Sequence, residues 1–246
     1  MSKIEFISPE GLRVDGRRPQ EVRKINYRLN LFSRADGSAY YEQGNTRVLA
    51  AVYGPRQVTR RGASKHDRAI INCEYSMATF STGERRKSAK RDRRSTEISV
   101  VIRQTFESVI LTHLYPRTQI DIFMQVLQAD GGTRCACINA ASLALIDAGI
   151  PMRDFVVSCA AGMIDGVALT DLNYIEDSAG GPDLPLAILP KQNKICLLQM
   201  DSKLTIEQYE EVMQMAVEGC KQIHAVLDAK LKDVTDQLVN KRKTLL

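Results

Sequence analysis

No apolar run in the 246-residue chain approaches the roughly 20 residues that a membrane-spanning helix needs. The opening "MSKIEFISPEG" carries no long apolar segment of the secretory kind, which makes an intracellular location the expectation. None of the six cysteines (Cys73, Cys135, Cys137, Cys159, Cys196, Cys220) forms a CxxC pair, and Cys135 and Cys137 stand too close for a zinc knuckle. The cysteines therefore read as reduced core thiols. His66, His113 and His224 are far apart, and nothing pairs one of them with a nucleophile. There is no internal repeat, no low-complexity linker and no base-reading motif, so any recognition of nucleic acid would go through its backbone and tolerate many sequences.

What the chain does have is charge in the wrong proportion for its total. The net charge is +5. Residues 83–94, "GERRKSAKRDRR", hold seven basic and two acidic residues, and residues 56–68, "RQVTRRGASKHDR", hold five basic and one acidic. The rest of the chain is therefore net acidic. Local positive charge of this kind suits a polyanion, and equally a pair of solvated loops.

Apolar periodicity gives the elements. Alternation in 24–33, turn residues at Asp36-Gly37 and Gly44-Asn45, and the run 69–81 predict a first third built of hairpin strands. Ile98, Val101, Ile102, Phe106, Val109 and Ile110 form one helical stripe, with Ser95 and Thr96 offering an N-cap and Pro116 a stop. Residues 119–129 and 154–166 read as strands, 184–190 and 194–200 as a hairpin, and 205–239 as a long helix. A helix rich in alanine and leucine ends at Gly149, with Pro151 beyond. The pattern is α+β, with helices covering one sheet face.

Two stretches point to chemistry. Gly131, Gly132, Thr133 and Arg134 lie between a strand and a helix, where backbone N–H groups and the helix dipole favour an anion and a guanidinium fork suits phosphate oxygens. Tight turns also use glycine routinely. Residues 169–185, "LTDLNYIEDSAGGPDLP", place Asp171, Glu176, Asp177 and Asp183 in what reads as a loop. Paired carboxylates there could hold Mg²⁺, or donate a proton where burial or a second carboxylate raises a pKa, or simply form an acidic surface.

The blocks "GLRVDGRRPQEVR", "DGSAYYEQGNTRVLAAVYGP", "FSTGERR", "DRRSTEIS", "YPRTQIDIFMQVLQADGGTR", "NAASLALIDAGIPMRD" and "DLNYIEDSAGGPDLP" run through nearly the whole chain. In them the sequence resembles the RNase PH family of phosphate-dependent 3′→5′ exoribonucleases. Within that family it is similar to the exosome-ring subunit that carries the catalytic residues in archaea, in its eukaryotic form. The resemblance implies a single RNase PH-like domain over 1–246 with a basic tail at about 240–246. It also implies the two-layer α/β fold of ribosomal protein S5 domain 2, as one subunit of a hexameric ring around a pore.

The resemblance further assigns roles. Gly131, Gly132, Thr133 and Arg134 would bind the attacking phosphate, Asp177 would be the acid, and Asp183 would ligate the metal. Arg93 and Arg94 would bind RNA at the site, and Arg60, Arg61 and Lys65 would line the pore neck. An active subunit would use Mg²⁺ and inorganic phosphate; a purely structural one would need no cofactor and would only guide RNA. Implied partners are RNA, paralogous ring subunits, cap subunits with S1 and KH domains, and an associated hydrolytic nuclease, with no membrane. Implied locations are the nucleus, including the nucleolus, and the cytoplasm.

Overall fold

A computed structural model describes residues 6–58, 64–85, 92–200 and 202–244, with the side chains of 234 and 237–244 outside the description. Of the residues singled out above, Arg60 and Arg61 lie outside the described residues.

The first third folds as the hairpin pattern requires. β1 (Ile25–Leu29), β2 (Gly37–Gln43) and β3 (Thr46–Gln57) pair antiparallel in sequence, and β5 (Thr118–Gln128) joins β3. β4 (Ile70–Met77) lies on the far side of β5 and runs parallel to it, closing a five-stranded sheet in the order β1-β2-β3-β5-β4. A parallel pair needs a crossover, and α1 (Arg93–Val109) supplies it. The helix starts ahead of the Ser95-Thr96 cap that the sequence suggests. Asp92 is the N-cap, and the hydroxyls of Ser95 and Thr96 instead donate to the Asp92 carbonyl. It also stops well before Pro116, at Val109.

A second sheet, four-stranded and antiparallel, was not legible as such. β6 (Val157–Ile164), β7 (Val167–Thr170), β8 (Asp183–Leu189) and β9 (Lys194–Leu198) order as β7-β6-β8-β9. The β8–β9 hairpin matches the expectation, while four-residue β7 was missed. α4 (Ile206–Thr244) packs on β6, β7 and β8.

α2 (Thr133–Asp147) lies between the sheets and touches β2, β3 and β5 of one and β6 and β8 of the other. Every residue from Cys135 to Leu145 is buried, which explains its composition: a helix covered on all sides has no polar face, and small residues let both sheets come close. Gly37 serves this approach. It is not a positive-φ turn residue as the sequence suggests; a Cβ there would fall 2.3 Å from the Ala144 carbonyl oxygen. The two polar residues of this stretch are satisfied. Asn139 donates to the Ser158 carbonyl (2.9 Å) and accepts from the Ser158 N–H (2.8 Å), and Ser142 donates to the Val156 carbonyl. One apolar core joins both sheets, α1, α2 and α4.

Five of the cysteines are buried and Cys196 is half-buried, all without a disulfide. Burial pushes the Cys73 and Cys135 thiols up to about 12 and Cys196 to about 11. These are core thiols, as their spacing suggests.

Candidate active site

The site is built around the bend between β5 and α2. Gly131 (φ 73°) and Gly132 (φ 60°) both adopt left-handed backbone, and Gly132 is the N-cap of α2 with no side-chain cap bond. The leading N–H groups of a helix have no partner inside it, so this bend presents donors and the positive end of the dipole together. Arg134 follows in the first turn.

Arg23, just ahead of β1, anchors the bend. It donates to the Asp130 carbonyl and, at 3.4 Å, to the Gly131 carbonyl. The same guanidinium forms a fork on Asp171, with Nε to Oδ2 at 2.9 Å and Nη2 to Oδ1 at 2.7 Å. Burial pushes the Asp171 carboxyl up, but Arg23, with Arg17 behind it, outweighs burial and holds it below the ordinary aspartate range. Asp171 is thus a structural ion, not part of an open acidic loop.

Glu176 is likewise committed. It closes a capping box with Asn173 at the start of the one-turn helix α3 (Tyr174–Asp177), and it is buried in an ion pair with Arg13. Arg13 Nε reaches Glu176 Oε1 at 2.8 Å, and its other donors take the Thr170 and Asp171 carbonyls. The arginines of "GLRVDGRRPQEVR" therefore clamp the acidic stretch from behind. Of its four carboxylates, two are consumed in holding the other two.

Asp177 ends α3 and is exposed. α3 is seated on the glycine bend from two directions. Asp130 accepts from the Tyr174 N–H at 3.2 Å, and a Cβ on Gly131 would stand 2.5 Å from the Leu172 carbonyl oxygen and 2.7 Å from the Asn173 carbonyl carbon. Asp183 opens β8 opposite Gly162 of β6, and its charge reaches Cys135 in the first turn of α2, adding to the burial that raises that thiol.

The basic side is joined by one amide. Arg134 Nη1 donates to Gln199 Oε1 at 2.5 Å, and Gln199 Nε2 reaches Glu97 Oε1 at 3.3 Å in the first turns of α1. Arg93 and Arg94 begin that helix and are exposed. The structure therefore links the Gly131–Arg134 bend to the first turns of α1 through Gln199 and to the start of α3 through Asp130, and sets Asp183 near the first turn of α2; Asp177, Arg93 and Arg94 are exposed on α3 and at the start of α1.

It does not bring Lys65 there. Lys65 is exposed, and its carbonyl accepts from the Arg117 N–H just before β5, at the opposite end of that eleven-residue strand from the glycine bend, roughly 30 Å away. Sequence reasoning missed Arg13, Arg23, Asp130 and Gln199. The first two sit in a quoted arginine-rich block; Gln199 carried no signal.

Among the described residues, no group of three or more His, Cys, Asp or Glu side chains is placed to hold a metal ion. A divalent ion at Asp183 would therefore rest on one or two carboxylates, waters and phosphate oxygens, which is how Mg²⁺ is usually held.

The models "3′ exoribonuclease family, domain 1" and "3′ exoribonuclease family, domain 2" match residues 21–151 and 154–219. The chain belongs to the 3′ exoribonuclease, or RNase PH, family. It is 58% identical to the Arabidopsis thaliana "Exosome complex component RRP41 homolog" over 97% of this chain and 99% of that protein. It is 55% identical to human "Exosome complex component RRP41" (93% and 94%), and 49% identical to the "Exosome complex component Rrp41" of Methanopyrus kandleri (93% and 95%). Among solved structures, rice Rrp46 aligns with a TM-score of 0.79 at 26% identity, covering 89% of this chain and all of that one. An Archaeoglobus fulgidus exosome chain, from a structure with RNA bound to the active site, aligns at 0.77 and 20% identity, over 89% and 93%, and so shares the fold.

Proposed function

We propose that the chain is a core-ring subunit of an RNA exosome, acting in 3′→5′ RNA processing and degradation beside other ring subunits and guiding RNA through the ring's pore. The identity of 49–58% over nearly the full length of exosome components from plant, human and archaeon carries this reading. Cap subunits and a hydrolytic nuclease are the further partners, and nucleus, nucleolus and cytoplasm the locations.

A second reading, intrinsic phosphorolysis, is favoured by one observation. The glycine bend with Arg134 is tied to the α1 end that carries Arg93 and Arg94 by the Arg134–Gln199–Glu97 relay, and to the start of α3, the helix that Asp177 ends, by the seating of Gly131.

In this reading inorganic phosphate is held by the N–H groups after Gly132, the Thr133 hydroxyl and the Arg134 fork. An oxygen of that phosphate attacks the phosphorus of the last phosphodiester in line. The bond to the 3′ oxygen of the preceding nucleotide breaks, Asp177 gives that oxygen its proton, and a nucleoside 5′-diphosphate leaves. Arg93 and Arg94 hold the RNA phosphates and offset charge in the transition state. Asp183 would hold a bound Mg²⁺, which would supply charge neutralisation on the phosphate oxygens.

The test is direct. A reconstituted ring is given body-labelled RNA, Mg²⁺ and phosphate, and nucleoside diphosphates are the expected product. Asp177→Asn lowers their formation by about 10²- to 10⁴-fold with RNA binding retained. RNA bound but no diphosphate formed removes the enzymatic reading and leaves the ring and its guiding role.

A further inference from the structure

A pocket of about 530 Å³ opens beside the bend, on the side of the first sheet away from α2. Tyr40 of β2, Arg47 of β3, the end of β5 at Leu127–Ala129, and residues 80–83 line it. Two of its features are unusual. Phe80 is 72% exposed, the most exposed aromatic side chain among the described residues, which leaves its ring face open. Ser81 beside it is only 3% exposed, yet its hydroxyl has no hydrogen-bond partner. A buried polar group left unpaired costs about 1–3 kcal/mol, so such a group in a pocket wall points to a ligand that completes it.

The neighbouring polar groups do not meet this need. The Tyr40 hydroxyl donates to Glu42 at 3.1 Å, and Thr82 donates to the Glu84 carbonyl at 2.7 Å. Arg47, about half exposed, stands 3.6 Å from Glu42, and among the described residues no carboxylate lines the pocket itself. The pocket is also coupled to the bend: the Ala129 N–H donates to the Ser81 carbonyl at 2.8 Å, two residues before Gly131.

An aromatic face, an uncommitted hydroxyl able to donate and accept, and a guanidinium, all without a lining acid, match one nucleotide of single-stranded RNA. We propose that this pocket receives a base of the RNA strand whose 3′ end lies at the Gly131–Arg134 bend. The base stacks on Phe80, Ser81 bonds its edge or the ribose 2′-hydroxyl, and Arg47 takes a phosphate. Stacking accepts every base, so the pocket grips RNA without selecting sequence. The proposal rests on the RNA role given above.

The test uses the assembled ring bearing Asp177→Asn, so that nothing is consumed, and a 5′-fluorescein oligoribonucleotide read by anisotropy. Phe80→Ala weakens binding about tenfold and leaves the salt slope unchanged, because no phosphate contact is lost. Phe80→Trp restores it. An oligonucleotide with one abasic position near its 3′ end shows the same loss at a single position, and there Phe80→Ala costs nothing more. Unchanged affinity of Phe80→Ala, or losses that simply add at every abasic position, overturns the proposal. So does a Phe80→Ala chain that no longer enters the ring, which assigns the aromatic to a subunit contact. A ring with native Phe80 that binds no RNA removes the RNA reading itself, and is thereby told apart from failure of the pocket alone.

Discussion

Asp171→Ala lowers the stability of the chain by about 3–5 kcal/mol, a fall in Tm on the order of 10 °C for a chain of this size. The side chain is 2% exposed and holds Arg23 through a two-point fork, while Arg17 stands 3.7 Å away. Removing it leaves the buried Arg23 guanidinium with the Asp130 carboxylate, 4.0 Å away, in place of a two-point fork, which costs far more than the pair contributes in net terms. The double replacement Arg23→Met, Asp171→Leu recovers part of the loss, though it leaves the Asp130 and Gly131 carbonyls without the donors Arg23 gives them. The pH dependence has a fixed sign. The Asp171 carboxyl titrates lower in the fold than in the unfolded chain, so its contribution is whole above the unfolded value near 4 and drains as pH falls through the folded one. Asp171→Asn flattens that part of the acid limb. Thermal unfolding of the three variants measures all of this; an Asp171→Ala chain within 1 kcal/mol of the native one contradicts the clamp.

Gly131→Ala costs on the order of 3 kcal/mol, the sum of a left-handed backbone and an overpacked contact. Its Cβ would meet main-chain atoms of Leu172 and Asn173, which cannot step aside as a flexible side chain can. Gly132→Ala is the control. It shares the positive φ, but its Cβ meets no main chain, only the Arg23 guanidinium at 3.3 Å, which must shift by a few tenths of an ångström, and Asp171 at 3.9 Å, so most of its cost is that of the backbone, about 1–2 kcal/mol. Denaturant unfolding of the two separates the terms. Equal losses would mean that Gly131 is an ordinary turn glycine and that the bend is not seated on α3.

These two residues also show what the sequence could and could not say. The bend was legible as a strand-to-helix joint because its signal is local: two glycines between an alternating run and an alanine-rich one mark it within four residues, while its affinity for an anion is left to the test below. The strands of the first sheet and α4 were legible for the same reason, since period 2 and period 3.6 are properties of short windows. The acidic stretch was half legible. Its four carboxylates look alike in sequence, and only partners 148 and 163 residues away, Arg23 on Asp171 and Arg13 on Glu176, set apart the two that hold the fold from Asp177 and Asp183, which those arginines leave out. Gly37 was misread because its need for a missing Cβ comes from Ala144, more than a hundred residues on. Gln199 was invisible because an amide at the end of an edge strand acquires its role only where two helices start beside it. The second sheet escaped because β6 is apolar throughout and β7 is four residues long, so neither shows alternation.

The central claim is that the glycine bend and the arginine-bearing end of α1 face one anion. Crystals of the assembled ring soaked in tungstate, a heavy analogue of phosphate, locate it by anomalous scattering. A peak within hydrogen-bonding reach of the N–H groups that follow Gly132, with Arg94 or Arg134 closing on it, is the predicted result. Tungstate held only at other surfaces, with the bend empty, contradicts it.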